Sequence, residues 1–225
     1  MMEIQVIDNG KIHYAVSLAQ QQRYFEEALD KRKRKEPVGH RLIFNEHYPV
    51  LTLGKHADVH NILYSRDYLD AHGVELFTTN RGGDVTYHGP GQWTIYPIFD
   101  LEELGIGIRT YVEKLEEVAI QVARHYGVIA KRIPGASGVW VDHADGSTDK
   151  LCAVGIHASR FITMHGIAFN VSTDPRAFTL INPCGFTDKG ATNLELESGQ
   201  QVLMSQAKEQ LELAFSEIFQ RPLHI

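Results

Sequence analysis

The sequence of 225 residues has few cysteines and no long apolar run. Its two cysteines, Cys152 and Cys184, are too few for the disulfide framework of a small secreted domain. The opening segment MMEIQVIDNGKIHY is too polar for the core of a signal peptide, and no apolar stretch reaches the roughly 20 residues of a membrane-spanning helix. These absences predict a cytoplasmic protein whose thiols stay free in a reducing compartment.

Positive charge is also scarce, with 22 Lys and Arg residues against 28 Asp and Glu residues and a net charge of −6. This balance argues against a nucleic-acid binder that works through bulk electrostatics, and we expect no membrane partner either. The one basic run, KRKRK at residues 31–35, closes a helical pattern and is interpreted as a solvated helix end that complements the helix dipole. A docking patch for an acidic partner protein is the alternative interpretation of this run.

Motifs for nucleotides, metals and serine nucleophiles are missing as well. The sequence has no Walker-type phosphate loop and no G-x-S-x-G elbow, and LGIGIRT lacks the third glycine of a dinucleotide fingerprint. His56 and His60 have i,i+4 spacing, but no glutamate lies between them as in zinc proteases, and no cysteine pairs occur at zinc spacing. No metal and no cofactor are therefore expected.

Hydrophobic periodicity predicts three helices in an α+β domain. The clearest one has capping-box spacing at Thr110 and Glu113, an apolar stripe, and a stop at Gly127. The other two stripes run from Tyr14 to Leu29 and near residues 205–220. Seven β-rich runs are interpreted as strands: RLIFNEHY, VLTLG, ELFTT, QWTIYPIF, GVWVDH, KLCAVGIHA and GIAFNVS. Hairpin connections with inserted helices predict a single domain over residues 1–225, with a mostly antiparallel mixed sheet and flanking helices.

The two cysteines have different settings in the sequence. Cys152 lies inside the apolar run KLCAVGI, which predicts a small buried hydrophobe. Cys184 lies in INPCGF, between a proline and a glycine, where a turn can present a thiol to a cleft. A free thiol, with a pKa of about 8.5, is only slightly ionised at neutral pH. A nucleophilic Cys184 therefore needs a cation that lowers its pKa by about two units, or roughly 2.7 kcal/mol.

Several side chains are candidates for that cation. Lys150 lies at the start of the KLCAVGI strand, after a polar loop, although a lysine in this position is more often simply solvated. His88, His157 and His165 are competing partners for a Cys–His pair. The residues alone leave the choice open.

Glycine is concentrated in the stretch RGGDVTYHGPGQW, residues 81–93, which has four glycines and one proline. This pattern predicts a loop whose backbone approaches a ligand closely, with Arg81 available for a phosphate or a carboxylate. Two tight turns are the alternative interpretation. Gly155 and Gly166 lie within predicted strands, where glycine marks close approach of a ligand or another backbone, or a bulge.

Four segments together, RGGDVTYHGPGQ, DKLCAVGIH, HGIAFNVSTD and INPCGF, resemble the ordered motif set of the lipoyl(octanoyl) transferases. The resemblance covers about residues 40–190. It implies the α+β fold of the biotin and lipoate protein ligase catalytic domains. It also implies transfer of an octanoyl group from octanoyl-acyl carrier protein to a lysine of a lipoyl domain, in 2-oxoacid dehydrogenase complexes or in the glycine cleavage H protein.

The resemblance also implies roles for individual residues. Cys184 resembles the cysteine that carries the acyl thioester, and Lys150 resembles the lysine that lowers its pKa. The loop HADGSTD before Lys150 is longer than the family pattern, which puts that loop's contacts in doubt. The residues that resemble the acyl and substrate pocket are Arg81, Gly82, Gly83, Asp84, Val85, Thr86, Tyr87, His88, Ala153, Val154, Gly155, Gly166, Ile167 and Ala168.

Thioester exchange is nearly isoenergetic, so this chemistry needs no nucleotide, in agreement with the missing motifs. The main alternative is an ATP-dependent lipoate- or biotin-type protein ligase on the same fold, which needs no nucleophilic thiol. A cysteine hydrolase that pairs Cys184 with His165 or His88, and a non-catalytic carrier of fatty acyl groups, are two further alternatives.

Overall fold

A computed structural model of the protein describes residues 3–182 and 190–224. The strands are β1 (Ile4–Ile12), β2 (His40–His47), β3 (Val50–Leu53), β4 (Glu75–Thr78), β5 (Val85–His88), β6 (Gln92–Ile98), β7 (Lys131–Ile133), β8 (Ala136–Asp142), β9 (Thr148–Ser159), β10 (Ile162–Asn170) and β11 (Leu223–His224). The α-helices are α1 (Tyr14–Lys33), α2 (Arg66–Ala71), α3 (Ile108–His125), α4 (Leu194–Ser198) and α5 (Met204–Phe219), and short 3₁₀ helices cover Val59–Asn61 and Pro175–Leu180.

The strands form a large sheet in the order β11-β1-β2-β6-β10-β9-β8-β7 and a small sheet in the order β4-β3-β5. In the large sheet β1 pairs in parallel with β2 and β11, and the other neighbours are antiparallel. The predicted α+β class with a mostly antiparallel mixed sheet is therefore confirmed. The second sheet is an addition to the prediction, which had one sheet only.

Helices cover both faces of the large sheet. On one face α3 and α5 pack against the inner residues of β6, β8, β9 and β10 and form the main core. On the other face α1 packs Phe25 and Ala28 against Ile98 and Met164. The sheet is thus buried on both faces over much of its width, and every residue of its central strands β6 and β10 is buried.

The three predicted helices are present, but one predicted boundary is wrong. Helix α3 begins at Ile108 after Gly107, so Thr110 lies inside the first turn and does not cap the helix. The helix ends as predicted, because Gly127 follows with φ +78°, a left-handed conformation that glycine adopts without strain. At the end of α1, Lys31 pairs with Glu27 and Arg34 with Glu36, as expected of a solvated helix end, but Arg32 of the same basic run bonds to the buried carboxylate of Asp100.

The predicted loop at residues 81–93 is partly a strand. Val85–His88 forms β5, which pairs antiparallel with β3 in the small sheet. The glycines lie in the turns on either side of this strand. Four consecutive residues with β propensity were too few to be recognised between two glycine pairs, since periodicity needs a longer run.

Among the residues that the structure describes, no helix combines the length and the apolar character needed to cross a bilayer.

Candidate active site

One cavity of about 440 Å³ lies between the β9–β10 hairpin and the segment from Arg81 to His88. Of the predicted pocket residues, those that line it are Arg81, Gly82, Gly83, Asp84, Val85, Thr86, His88, Ala153, Val154, Gly155, Gly166, Ile167 and Ala168, and Lys150 lines it too. Tyr87 is not among the lining residues. It packs instead against Phe178 in the small hydrophobic core beside β3.

Small residues form the floor of the cavity. Ala153 pairs with Ala168 and Gly155 pairs with Gly166 across the hairpin, so the two rows share one face of the sheet. At Gly155 a side-chain carbon would lie 3.0 Å from the carbonyl oxygen of Gly82. The Gly82 N–H donates to the Ile156 carbonyl oxygen at 2.8 Å. The absence of a side chain at Gly155 therefore lets the backbone of Gly82 lie against β9.

Lys150 reaches the cavity because β9 contains a bulge. Trp140 pairs with Lys150 and the preceding Val139 pairs with Cys152, so β9 has one residue more than β8 between these pairs. Leu151 and Cys152 are consecutive, yet both are fully buried in the core on the α3 side. The extra residue resets the alternation, and Lys150 therefore faces the cavity together with Ala153.

The ammonium of Lys150 lies 4.4 Å from the centre of the Trp140 ring, a cation–π contact. The backbone of Lys150 is fixed as well. Its N–H donates to the Gly190 carbonyl oxygen and its carbonyl oxygen accepts from the Thr192 N–H, both at 3.0 Å. The second candidate of the predicted pair, Cys184, lies outside the described residues. Gly190, the first described residue after that gap, is thus bonded directly to Lys150.

Arg81 stabilises the segment that covers the floor. Its Nε donates to the Thr52 hydroxyl at 3.1 Å, its Nη1 to the Gly82 carbonyl oxygen at 3.0 Å, and its Nη2 to the Thr52 hydroxyl at 2.9 Å. These bonds join the segment to β3. In this structure Arg81 therefore donates to oxygens of the protein itself, and a phosphate or carboxylate partner stays a prediction.

The competing histidines are held in the neutral form. His165 bonds to Asn80 at 2.7 Å, and burial, with a smaller effect of Arg81, lowers its pKa to about 3. His88 bonds to Gln92 at 2.8 Å, and burial lowers its pKa well below the usual value. Burial and the neighbouring Lys55 also lower the pKa of His157. Since a neutral imidazole does not stabilise a thiolate electrostatically, these contacts favour Lys150 as the cation of the site.

Cys152 is fully buried, as predicted, and burial raises the pKa of its thiol far above the usual range. Within residues 3–182 and 190–224, no three His, Cys, Asp or Glu side chains come close enough to hold a metal ion. His60 of the HADVH segment bonds instead to Asp58.

Comparison with known proteins gives a consistent result. Residues 13–216 match the family model described as "Lipoyl protein ligase A/B catalytic domain". The chain belongs to this family. It is 48% identical over 214 residues to a protein named Octanoyltransferase from Porphyromonas gingivalis, covering 94% of this chain but only 43% of that relative. It is 46% identical over 213 residues to another Octanoyltransferase, from Parabacteroides distasonis, covering 94% and 96% of the two chains. The predicted resemblance is thereby confirmed.

Solved structures show the same family fold at low identity. A bipartite lipoate protein ligase from Thermoplasma acidophilum, described with its E2 lipoyl domain, superposes with a TM-score of 0.75 at 16% identity, covering 100% of this chain and 86% of that one. A lipoate-protein ligase A with bound ATP gives 0.69 at 15% identity, covering 99% and 87%. At these identities the likeness concerns the fold, and the predicted ligase-type fold is confirmed.

Sequence reasoning missed some of the residues that line the cavity. Trp140, Tyr14 and Tyr96 line the cavity, and none of them was singled out. Trp140 can be placed in the cavity only if the pairing register between β8 and β9 is known. The sequence does not reveal the bulge that sets this register. Tyr14 and Tyr96 come from α1 and β6, far from the motif segments.

Proposed function

We propose that this protein is an octanoyltransferase of protein lipoylation. It moves an octanoyl group from octanoyl-acyl carrier protein to Cys184 and then to the lysine of a lipoyl domain. The relatives named Octanoyltransferase support the octanoyl transfer. The observation that carries the mechanism is the position of Lys150, whose ammonium lies in a cavity floored by small residues and whose backbone bonds to Gly190.

The first step is an exchange of thioesters. The Cys184 thiolate attacks the octanoyl carbonyl carbon, and the bond from that carbon to the carrier sulfur breaks. The carrier thiolate leaves and takes a proton from the Lys150 ammonium. The products are octanoyl-Cys184, a carrier thiol and a neutral Lys150 amine, with no oxidation and no nucleotide consumed.

The second step is aminolysis. The neutral amine of the acceptor lysine attacks the octanoyl-Cys184 carbonyl and transfers a proton to Lys150, while Cys184 leaves as the thiolate. An amide replaces a thioester, so the step runs downhill. The thiolate and the ammonium are restored, and because their titrations are coupled, the apparent pKa values belong to the pair.

The cavity suits the acyl group. Its volume of about 440 Å³ lies within the range of about 300–1,000 Å³ that is common for ligand pockets. Ala153, Ala168, Gly155 and Gly166 give a floor without large side chains. An eight-carbon chain along this floor would lie against hydrocarbon and backbone, and its carbonyl end would be directed toward Lys150.

The proposed partners are octanoyl-acyl carrier protein as donor and, as acceptors, lipoyl domains of 2-oxoacid dehydrogenase complexes and the glycine cleavage H protein. A lipoyl protein as acceptor is supported by the family, one member of which is described together with its E2 lipoyl domain. A cytoplasmic location belongs to the proposal, because a nucleophilic thiol has to stay reduced.

Intact-protein mass spectrometry after mixing with octanoyl-acyl carrier protein tests the proposal. We expect a mass increase of one octanoyl unit that maps to Cys184 and disappears in Cys184→Ala. Cys152→Ala is the matched control, because Cys152 is sealed in the core, and it should still be acylated. A Cys184→Ala variant with full transfer activity would overturn the proposal.

A second arm separates the ligase alternative. A ligase would activate free octanoate and would require ATP and magnesium. We expect no transfer from free octanoate with ATP and Mg²⁺, and full transfer from octanoyl-acyl carrier protein without them. The reverse pattern would assign the protein to the ATP-dependent enzymes of this fold.

A further inference from the structure

Glu116 on α3 is a buried carboxylate that contacts a strand. Only 6% of the residue is exposed, and its Oε1 accepts a hydrogen bond of 3.0 Å from the backbone N–H of Gly138 in β8. Its Oε2 accepts from Arg132 Nε at 3.1 Å. A buried carboxylate requires partners of this kind, and bonds to a charged acceptor are stronger than neutral ones. Glu116 therefore fixes one point of the β8 backbone relative to α3.

That point lies beside the bulge. Gly138 has φ +118°, which non-glycine residues rarely adopt, and it precedes Val139, where the register between β8 and β9 shifts. A side-chain carbon at Gly138 would lie 2.6 Å from the Cys152 carbonyl oxygen and 3.4 Å from Cε of Lys150. The Gly138 backbone thus lies against the Cys152 carbonyl and the Lys150 side chain, the two neighbours of the extra residue Leu151.

The bulge decides which way Lys150 points. In a regular strand, with Ala153 facing the cavity, residue 151 would face it too and residue 150 would face the α3 core. The bulge reverses this arrangement, so that Leu151 is buried in the core and Lys150 lines the cavity. A contact that stabilises the bulge therefore also keeps the Lys150 ammonium in the cavity.

We propose that Glu116 is a positioning residue for Lys150, acting through the Gly138 backbone and the β8–β9 bulge. This inference depends on the proposed function, in which the Lys150 ammonium has to point into the cavity to stabilise the Cys184 thiolate. Glu116 itself touches neither the substrate nor the reacting atoms. The neighbouring Glu117 lacks this contact: it bonds to Arg132 at 2.7 Å but has no bond to Gly138.

The test measures the alkylation of Cys184 by iodoacetamide against pH in a Cys152→Ala background, with peptide mapping. The variants are Glu116→Ala, Glu116→Asp and Lys150→Met, with Glu117→Ala as the matched control. If Lys150 is displaced, Glu116→Ala should raise the pH midpoint of alkylation by about one unit, which makes the reaction about tenfold slower at pH values below both midpoints. Glu116→Asp keeps the charge but withdraws the carboxylate by one methylene, and it should give part of that shift.

The direction of the shift distinguishes positioning from charge. Removing a negative charge near a thiol favours the thiolate and lowers the midpoint, whereas losing the ammonium raises it. A midpoint that falls in Glu116→Ala, or stays unchanged in both Glu116 variants, overturns the inference. Glu117→Ala should match the wild type, and a shift equal to that of Glu116→Ala would also overturn it.

Lys150→Met distinguishes a failure of the positioning role of Glu116 from a failure of the proposed Lys150–Cys184 pair. If it shifts the midpoint and the Glu116 variants do not, the positioning role fails and the proposed function is retained. If Lys150→Met has no effect, the proposed Lys150–Cys184 pair fails and the positioning role fails with it. Should Glu116→Ala fail to fold, as judged by circular dichroism, Glu116→Asp decides the question.

Discussion

Two groups of side chains line the same cavity and differ in charge. The β8–β9 hairpin provides Lys150, whose ammonium lies over the Trp140 ring. Helix α1 and strands β5, β6 and β10 provide a second group, which we call the histidine group: Tyr14, His88, Tyr96 and His165. In the histidine group burial lowers the pKa of His165 to about 3 and raises the pKa of Tyr14 to about 12.

The difference shows how one cavity supports two requirements. An acyl chain needs walls without charge, and the histidine group is polar yet neutral at physiological pH because its members are buried. Thioester chemistry needs a charge, and in the proposed mechanism Lys150 supplies it from a separate hairpin. In the proposed mechanism the reactive part of this cavity is therefore at Lys150 and not at the buried histidine group.

Removing the cation should have the largest effect. Lys150→Met keeps the length of the side chain but removes charge and proton transfer, so we expect octanoyl transfer to fall by about a hundredfold or more. Steady-state transfer to a lipoyl domain measures the loss. Lys55→Met is a control, since Lys55 is a cation near His157 that does not line the cavity. Retention of more than a tenth of the activity by Lys150→Met would contradict the role given to it.

Filling the floor should have a smaller and selective effect. Ala168→Leu projects a larger side chain into the cavity beside Ala153, and we expect acylation by an octanoyl donor to slow by about thirtyfold, or roughly 2 kcal/mol. A butyryl donor should lose much less, because it reaches less far along the floor. Ala158→Leu, on β9 but outside the cavity lining, is the control. Equal losses for both donors would show that Ala168 does not border the acyl chain.

The neutral state of the buried histidines should appear in the pH dependence of stability. Burial lowers the pKa of His47 to about 4, so between pH 6.5 and 4 the unfolded state binds a proton that the folded state does not. Stability should therefore fall with falling pH, by up to about 1.4 kcal/mol per pH unit for this residue. Urea unfolding at pH 6.5 and 5.5 should show a weaker pH dependence in His47→Gln than in the wild type, and an equal pH dependence in the two proteins would contradict the lowered pKa of His47.

The smallest expected effect is the loss of one buried hydrogen bond. Tyr96 Oη and His47 Nε2 are 2.9 Å apart, and Tyr96→Phe leaves that imidazole nitrogen without its partner. We expect a loss of about 1–2 kcal/mol in the free energy of unfolding, measured by urea denaturation at pH 7.5. Tyr64→Phe, at an exposed ring, should change stability by much less. Equal free energies of unfolding for the wild type and Tyr96→Phe would show that this hydrogen bond does not contribute to stability.

The sequence predicted the parts of the fold that have strong periodicity. The apolar stripes of α1, α3 and α5 are long enough to recognise, and the four motif segments indicate the family. Strand β1 was missed because most of its residues are only partly buried, and because Asn9 and Gly10 interrupt its β pattern. It pairs with β2 through residues distant in sequence, which local patterns do not contain.

The sequence predicts which residues line the site better than it predicts how they are arranged. Most of the predicted pocket residues line the cavity, but Tyr87 does not, and the bulge that directs Lys150 leaves no mark in the sequence. In the sequence Gly138 is only the first residue of a predicted strand. In the structure it has φ +118° and lies next to the bulge. The pairing of Lys150 with Cys184 remains a prediction.

Lys150 belongs to a strand and is bonded through its backbone to Gly190 and Thr192. Its ordering entropy is therefore lost when the protein folds rather than when a substrate binds. Heat should consequently inactivate such an enzyme in a single cooperative event, with activity and secondary structure disappearing together instead of the activity fading first.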